Sequence, residues 1–374
     1  CSPARACLAL GVNYEQCGVP NNRHSIDVNR PTIYRHLRDA GCRTGSLGKL
    51  DLAKGEQFWG KDNGGRHHMR EWGFTDGFDN AGKYDAVNCY RANGYRAGDP
   101  YMAFLDTEGL ARAHHDDLRE RAGDPWMVGP TPLADHQYCD NWIAENALGI
   151  LNGFPSDSPW FLQVNFTGPH NPWDIPYSLV DLYQDVEFPD AVGLDQADEE
   201  FLSGYTPEKL TAVRRNYAAM CENIDRQIGR LIDAVHERGE WERTAVIFAS
   251  DHGEMLGDFG RWGKGTWHEA SLRVPLIVRA PGTIARPPVT SPVQLQDIGA
   301  TALVLAGAPP IEGDAVSLLP ILTGERQWVR ERAQCALGNW QIDVTGEEKQ
   351  VTEDGERWTV GLNDRPVENH PSAT

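Results

Sequence analysis

The sequence contains no CxxC pair, although it has eight cysteines: Cys1, Cys7, Cys17, Cys42, Cys89, Cys139, Cys221 and Cys335. Without closely spaced thiols, neither a zinc module nor a dense disulfide scaffold is indicated, and the compartment stays open. No apolar run approaches the roughly 20 residues that cross a bilayer, so no membrane span is expected. Basic charge is scarce too: 35 Lys and Arg stand against 54 Asp and Glu, a formal net charge of −19. That balance argues against nucleic acid or anionic lipid as the main partner, because both need a basic face. An anionic substrate must then be held by a few local cations or by a metal. Internal repeats and low-complexity tracts are also missing. What remains is 374 residues, 40% hydrophobic, with 38 Gly, 24 Pro and 12 Trp. This is a loop-rich globular composition, long enough for one large α/β domain or two ordinary ones.

Helical and extended patterns alternate. RPTIYRHLRDAG has apolar residues at helical spacing and a Gly stop, and CRTGSLGKL then turns extended. A helix is expected across Asp135 to Leu151, followed by the strand PWFLQVNF. The stretch EKLTAVRRNYAAMCENIDRQIGRLIDAVHERG reads as a long amphipathic helix and TAVIFAS as a buried strand. VPLIVRAPG reads as a further strand ahead of a helix near Leu295 to Ala306. Such alternation predicts an α/β fold, a mostly parallel central sheet with helices on both faces. Asp51 to about Pro132, rich in Gly, Asp and Arg, reads as long loops of the kind that carry function. The domain reading is a catalytic unit over 1–325 and, over 326–374, the beginning of a truncated C-terminal subdomain with short strands in QCALGNW and ERWTVGL.

In open α/β sheets ligands sit beyond the carboxyl ends of the strands. Three strand ends here carry reactive types: Lys49, His170, and Asp251 with His252. SDHGE suits a cation bound by a carboxylate and a neighbouring side chain, and it suits a polar turn with Asp capping equally well. Glu254 and Asp258 are secondary acids or plain surface. WGKGTWHEASLRVP places Lys264 between glycines and tryptophans, where an ammonium can point into a pocket as a charge for an oxyanion. His268, Glu269 and Arg273 read as supports, the last two at helical i,i+4 spacing. GPHNPW fixes His170 between two prolines, a setting for an imidazole that donates to an anion or protonates a leaving group.

The opening, CSPARACLALG, has Cys1 followed by Pro3 and Arg5. With GK at Gly48–Lys49, GPH at His170, SDHGE at Asp251–His252 and WGKGTWHEASLRVP around Lys264, it forms five ordered blocks. That set resembles the type I sulfatases of the alkaline-phosphatase-like superfamily, in which such a Cys is oxidised after synthesis to Cα-formylglycine. The resemblance implies a sulfuric ester hydrolase. A hydrated aldehyde at Cys1 offers one hydroxyl to attack sulfur and a second whose deprotonation expels sulfate and regenerates the aldehyde. It also implies that Arg5 steadies the formylglycine, that Lys49 bridges it to the sulfate, and that His170 and Lys264 hold the sulfate and help the leaving oxygen. Asp251, His252 and Cys1 would hold the metal, calcium first and magnesium second. A sulfate ester, carbohydrate or aryl, is the implied small-molecule partner; the formylglycine-generating enzyme is the partner in maturation. The polar loops between Gly55 and Pro132 lean towards a sugar.

Two departures from the family pattern stand out. The family places two adjacent acidic metal ligands on a first strand before the nucleophile, and this sequence starts at the nucleophile, so it is read as lacking that N-terminal strand. Asp116–Asp117 follow the nucleophile in a polar, helical segment and do not replace it. Second, Asp51 occupies a position usually held by His; it orients Lys49, acts as a base, or only caps a turn. Leu10 replaces a common hydroxyl residue, a milder change. Phosphonate monoester or phosphodiester hydrolysis, or an inactive sulfatase-like binding protein, are the alternatives.

Overall fold

Helix α1 (Ser2–Leu10) begins directly after Cys1, with Pro3 in the first turn, where a missing N–H leaves nothing unpaired. It stops at Gly11, whose φ of 69° is the left-handed cap that other residues avoid. The structure, a computed structural model, describes residues 1–57, 59, 66–285, 287–346 and 348–364. Helix α2 (Ile33–Asp39) is capped by the Thr32 side chain, which accepts the Arg35 N–H, and leads into β1 (Arg43–Gly48). β1 is the middle strand of a parallel sheet between β2 (Asp76–Asp79) and β3 (Trp160–Asn165), with Leu47 opposite Phe78 and Val164.

The stretch from Asp51 to Pro132, expected as loops, contains four helices: α3 (Arg66–Trp72), α4 (Lys83–Ala92), α5 (Pro100–Thr107) and α6 (Ala111–Arg121). Residues 58 and 60–65 of it lie outside the described ones. Two of the helices, α4 and α6, were hidden because their buried stripes are partly polar. α6 turns His114, His115 and Arg121 inward beside Ala111 and Leu118, and α4 buries Lys83 beside Ala86, Val87 and Tyr90. A search for apolar residues at helical spacing passes over such stripes.

Alternation along β3 separates the two faces of the sheet. Phe161 joins Ile33, Tyr34, Leu37 and Leu303 on one side, while Leu162 and Val164 join Ile143 and Ala147 on the other. Helices α7 (Cys139–Gly153) and α8 (Pro207–Glu237) cover the latter face, and α1, α2 and α9 (Gln296–Leu305) the former. Leu10 is buried in the α1 core cluster, where a hydroxyl would need a partner.

The parallel character rests on β1, β2 and β3. β4 (Val246–Ala249) pairs antiparallel with β5 (Leu276–Arg279), Phe248 opposite Ile277. Among the described residues the second edges of β3 and β4 have no partner strand. Between them runs a slot of about 1410 Å³, lined by both strands, by Ile224 and Leu231 on one side and by Leu8 and Leu37 on the other.

Four antiparallel strands end the described chain: β6 (Ala333–Leu337), β7 (Trp340–Val344), β8 (Glu348–Glu353) and β9 (Glu356–Gly361). They cover the pieces expected in QCALGNW and ERWTVGL and pack Trp340, Ile342 and Val351 against Trp267 and Leu272. Lys349 is fully buried there, donating to the Trp267 carbonyl at 2.8 Å and pairing with Glu269 at 3.0 Å and with Asp364. Glu269 therefore answers Lys349, not the Arg273 expected from helical spacing: the helix at Glu269–Leu272 is a single turn. Among the described residues no helix is long and apolar enough to cross a membrane.

Candidate active site

Cys1 caps α1, with its carbonyl accepting the Arg5 N–H at 3.0 Å, so its side chain sits at a helix N-terminus, where negative charge is favoured. Its Sγ lies 2.9 Å from Lys49 Nζ and 2.9 Å from His252 Nε2. One turn on, Arg5 reaches into the same space. Its Nε donates to Asp251 Oδ2 at 2.8 Å, and its Nη1 donates to the Lys49 carbonyl and, at 3.2 Å, to Asn165 Oδ1.

Gly48 explains how Lys49 turns off β1. Its φ is 86°, and a Cβ there would stand 2.0 Å from the Asn165 carbonyl oxygen, so the close approach of β1 to β3 admits no side chain. Lys49 N–H donates to that same carbonyl at 2.9 Å.

Asp251 and His252 follow β4. Burial would push the Asp251 carboxyl up, but the charge of Arg5, with that of Lys49 behind it, outweighs burial and holds the group well below the usual carboxylate range. His252 is pushed down to about 4, mainly by burial and against the pull of Asp251. Its Nδ1 faces the Gly253 carbonyl at 2.9 Å, and a carbonyl only accepts, so Nδ1 carries the proton and the Nε2 lone pair faces Cys1. An ionised carboxylate and a neutral imidazole, with the second ring nitrogen already held, are the protonation states a cation requires. One ligand atom each from Cys1, Asp251 and His252 lies within 4.8 Å of the others, so the three fit around a divalent ion. An imidazole among the donors does not single out calcium, which prefers six to eight oxygens.

His170 and Lys264 form the other half of the cluster. The His170 ring lies 6.5 Å from that of His252, centroid to centroid. His170 Nδ1 donates to the Asn171 carbonyl at 2.7 Å, and its Nε2 accepts from Lys264 Nζ at 2.7 Å. Burial, then the charges of Lys264 and Lys49, hold this imidazole well below its ordinary range. His170 is therefore neutral and accepting here, and the expected donor is Lys264. Burial and the neighbouring Lys49 bring the Lys264 ammonium down from 10.5 to about 8.

Several supports escaped sequence reasoning. Asp140 on α7 accepts the Thr167 N–H at 2.7 Å, the Thr167 hydroxyl at 2.9 Å and the Gly168 N–H at 3.1 Å, pinning the turn before His170. Lys83 holds the other side, donating to the Pro172 carbonyl at 3.0 Å and pairing with Asp174 at 2.6 Å. Glu254 accepts the Gly263 N–H and so ties the Lys264 loop to the turn after Asp251. Trp340 Nε1 holds the Gly265 carbonyl at 3.0 Å. Asn165 ends β3 as Lys49 follows β1, a signal the strand-end rule offered. Asp258 pairs with Arg214 at 2.8 Å, and Asp116 and Asp117 pair with Arg112 and Arg121, so none of them joins the site. His268 stacks on Trp267 outside it.

The fold is alkaline-phosphatase-like. A family model described as Sulfatase matches residues 1–308, and the chain belongs to that family. It is 30% identical over 342 residues to a choline-sulfatase of Rhizobium meliloti (strain 1021), covering 87% of this chain and 62% of that protein. It is 25% identical over 300 residues to an arylsulfatase of Clostridium perfringens, covering 76% and 60%, and 38% identical over 350 residues to arylsulfatase K of Rattus norvegicus, covering 86% and 54%. The chain thus spans less than two thirds of the length of these relatives. Among solved structures, a phosphonate monoester hydrolase from Silicibacter pomeroyi shares the fold with a TM-score of 0.74 at 22% identity, over 99% of this chain and 82% of that one.

Proposed function

We propose that the protein hydrolyses organic sulfate esters, aryl or carbohydrate, with Cys1 converted to Cα-formylglycine by a formylglycine-generating enzyme. The observation that carries this is the crowding of one sulfur at a helix N-terminus by Lys49 and His252, each 2.9 Å away, with the Arg5–Asp251 pair beside them. In this reading Sγ marks the place of the aldehyde hydrate oxygens, which supply a nucleophile that an unconverted thiol cannot replace. Lys49 stands where one ammonium meets both the nucleophile and a sulfuryl oxygen. Arg5 orients Asp251 and the turn after β1. Lys264, shared with His170, holds the sulfate and supplies the proton for the leaving oxygen, and His170 keeps that ammonium aimed. Cys1, Asp251 and His252 would hold a divalent cation, calcium in first place; when bound, it neutralises charge developing on the sulfuryl oxygens.

The test uses the full-length protein with Cys1 converted, assayed on an aryl sulfate, a sulfated monosaccharide and a matched phosphonate monoester. Sulfate release is expected from at least one sulfate ester, at a higher kcat/KM than phosphonate cleavage. Release from neither sulfate would overturn the reading; faster phosphonate cleavage would move the protein to the alternative reaction.

The donor assignment has its own readout. Lys264 carries its proton below about 8 and loses it as pH rises through that value, well before an ordinary lysine would. A kcat/KM profile should therefore fall on the alkaline side with a midpoint near 8 and lose that limb in Lys264→Met, with a drop on the order of 10²-fold at neutral pH. A parent profile flat to pH 10 would rule Lys264 out as the acid.

A further inference from the structure

Asp51 lies two residues beyond Lys49, in the turn after β1, and joins a network of charges with it. Its side chain is fully buried. Its backbone sits at φ 59°, a left-handed conformation that Asp enters more readily than most residues. Oδ2 lies 3.0 Å from Lys49 Nζ and 3.4 Å from Lys54 Nζ, and Lys54 pairs outward with the half-buried Asp85 at 2.7 Å. Burial would raise the carboxyl, but Lys49, Lys54 and Arg5 outweigh it and keep Asp51 ionised. The turn itself is held by Asp79, whose Oδ1 accepts the Leu50 N–H at 2.9 Å. On the far side of the lysine stem, Gly82 leaves no slack: a Cβ there would meet Lys49 Cε at 2.8 Å and Cδ at 3.3 Å.

We propose that Asp51 is a positioning residue that anchors the Lys49 ammonium against the reacting atom at Cys1, with Lys54 and Asp85 bracing it from outside and Gly82 giving the lysine stem its track. A lysine has a flexible four-carbon stem and loses much rotamer freedom when held in one pose. Fixing its tip at two points, Cys1 Sγ at 2.9 Å and Asp51 Oδ2 at 3.0 Å, removes that freedom before substrate arrives. Oδ2 is engaged by two ammonium groups, and Oδ1 is buried without a partner, so Asp51 is placed to hold Lys49 rather than to take a proton from the nucleophile.

The proposal rests on reading Cys1 as the reacting centre, and the test separates the two. In full-length protein left unconverted, the rate of Cys1 alkylation by iodoacetamide at pH 7, read from the mass of the Cys1 peptide, reports how well Lys49 is held against the sulfur and needs no turnover. Lys49→Met is expected to slow alkylation about tenfold, because a cation beside a thiol favours the reactive thiolate. Asp51→Ala should slow it at least threefold, and Asp51→Asn, which still offers an acceptor to both lysines, should stay within twofold of the parent. In converted protein the same order should appear in kcat for an aryl sulfate, with Asp51→Ala down on the order of 10²-fold and Asp51→Asn down less than about tenfold. Should Asp51→Ala fail to fold, Asp51→Ser, whose hydroxyl is too short to reach Lys49, takes its place with the same expectation. An alkylation rate unchanged by the Ala or Ser variant while Lys49→Met slows it would overturn the proposal. Equal losses in the Ala and Asn variants would overturn it too, pointing to the charge itself. A parent that alkylates as described but releases no sulfate defeats the functional reading alone.

Discussion

A Cys1→Ala protein is expected to fold like its parent and to lose turnover of every sulfate ester by at least about 10⁴-fold, the scale seen when a nucleophile acting in concert with its neighbours is deleted. The two halves of this prediction have separate causes. Cys1 caps α1 through its backbone carbonyl and makes no side-chain cap bond, so the helix start survives the change. The ammonium left behind still has Asp51 at 3.0 Å, and His252 still has the Gly253 carbonyl. Stability should therefore move by less than about 1 kcal/mol, as measured by denaturant titration. Residual turnover within tenfold of the parent would show that the reaction does not pass through residue 1.

Asp251→Ala should differ in kind, costing both activity and stability. Asp251 and Arg5 are only 15% and 13% exposed at their side chains, so their 2.8 Å contact is shielded from solvent. Removing the carboxylate leaves the guanidinium buried with only neutral acceptors, the Lys49 carbonyl and Asn165. Breaking a buried pair from one side costs about 3–5 kcal/mol, much more than removing a surface charge. The same substitution takes one of three groups from the candidate cation site, so calcium binding followed by calorimetry should fall to background and sulfate release with it. Retained calcium affinity would move the cation elsewhere; a loss of stability below about 1 kcal/mol would show that Arg5 finds another anion.

How much of this was legible depended on where the information lay. Lys49, His170 and the Asp251–His252 pair could be placed because each follows an element whose apolar period is plain, such as VIFA or SLG, and because ligands gather at strand ends, whereas Cys1 came only from the resemblance carried by CSPAR. Asp140 and Lys83 could not be placed. Both sit in helices, and their importance comes from reaching the Thr167–Asp174 segment from elements many residues away, a relation no local pattern encodes. The helices α4 and α6 were missed for a related reason: Lys83, His114 and His115 are buried, so the stripe that packs inward does not look apolar. The protonation of His170 was likewise invisible, because it follows from Lys264 lying 2.7 Å from Nε2.

The separation of β3 from β4 gives Arg5 a mechanical meaning. Among the described residues no ladder of main-chain bonds joins the half of the site built on β1 and β3 to the half built on β4; the Arg5 guanidinium reaches both, touching Lys49 and Asn165 with one nitrogen and Asp251 with another. It works as a rivet between two plates. The placing of the Asp251–His252 pair against Lys49 and Cys1 thus depends on side-chain contacts across the gap as well as on the strands that carry them.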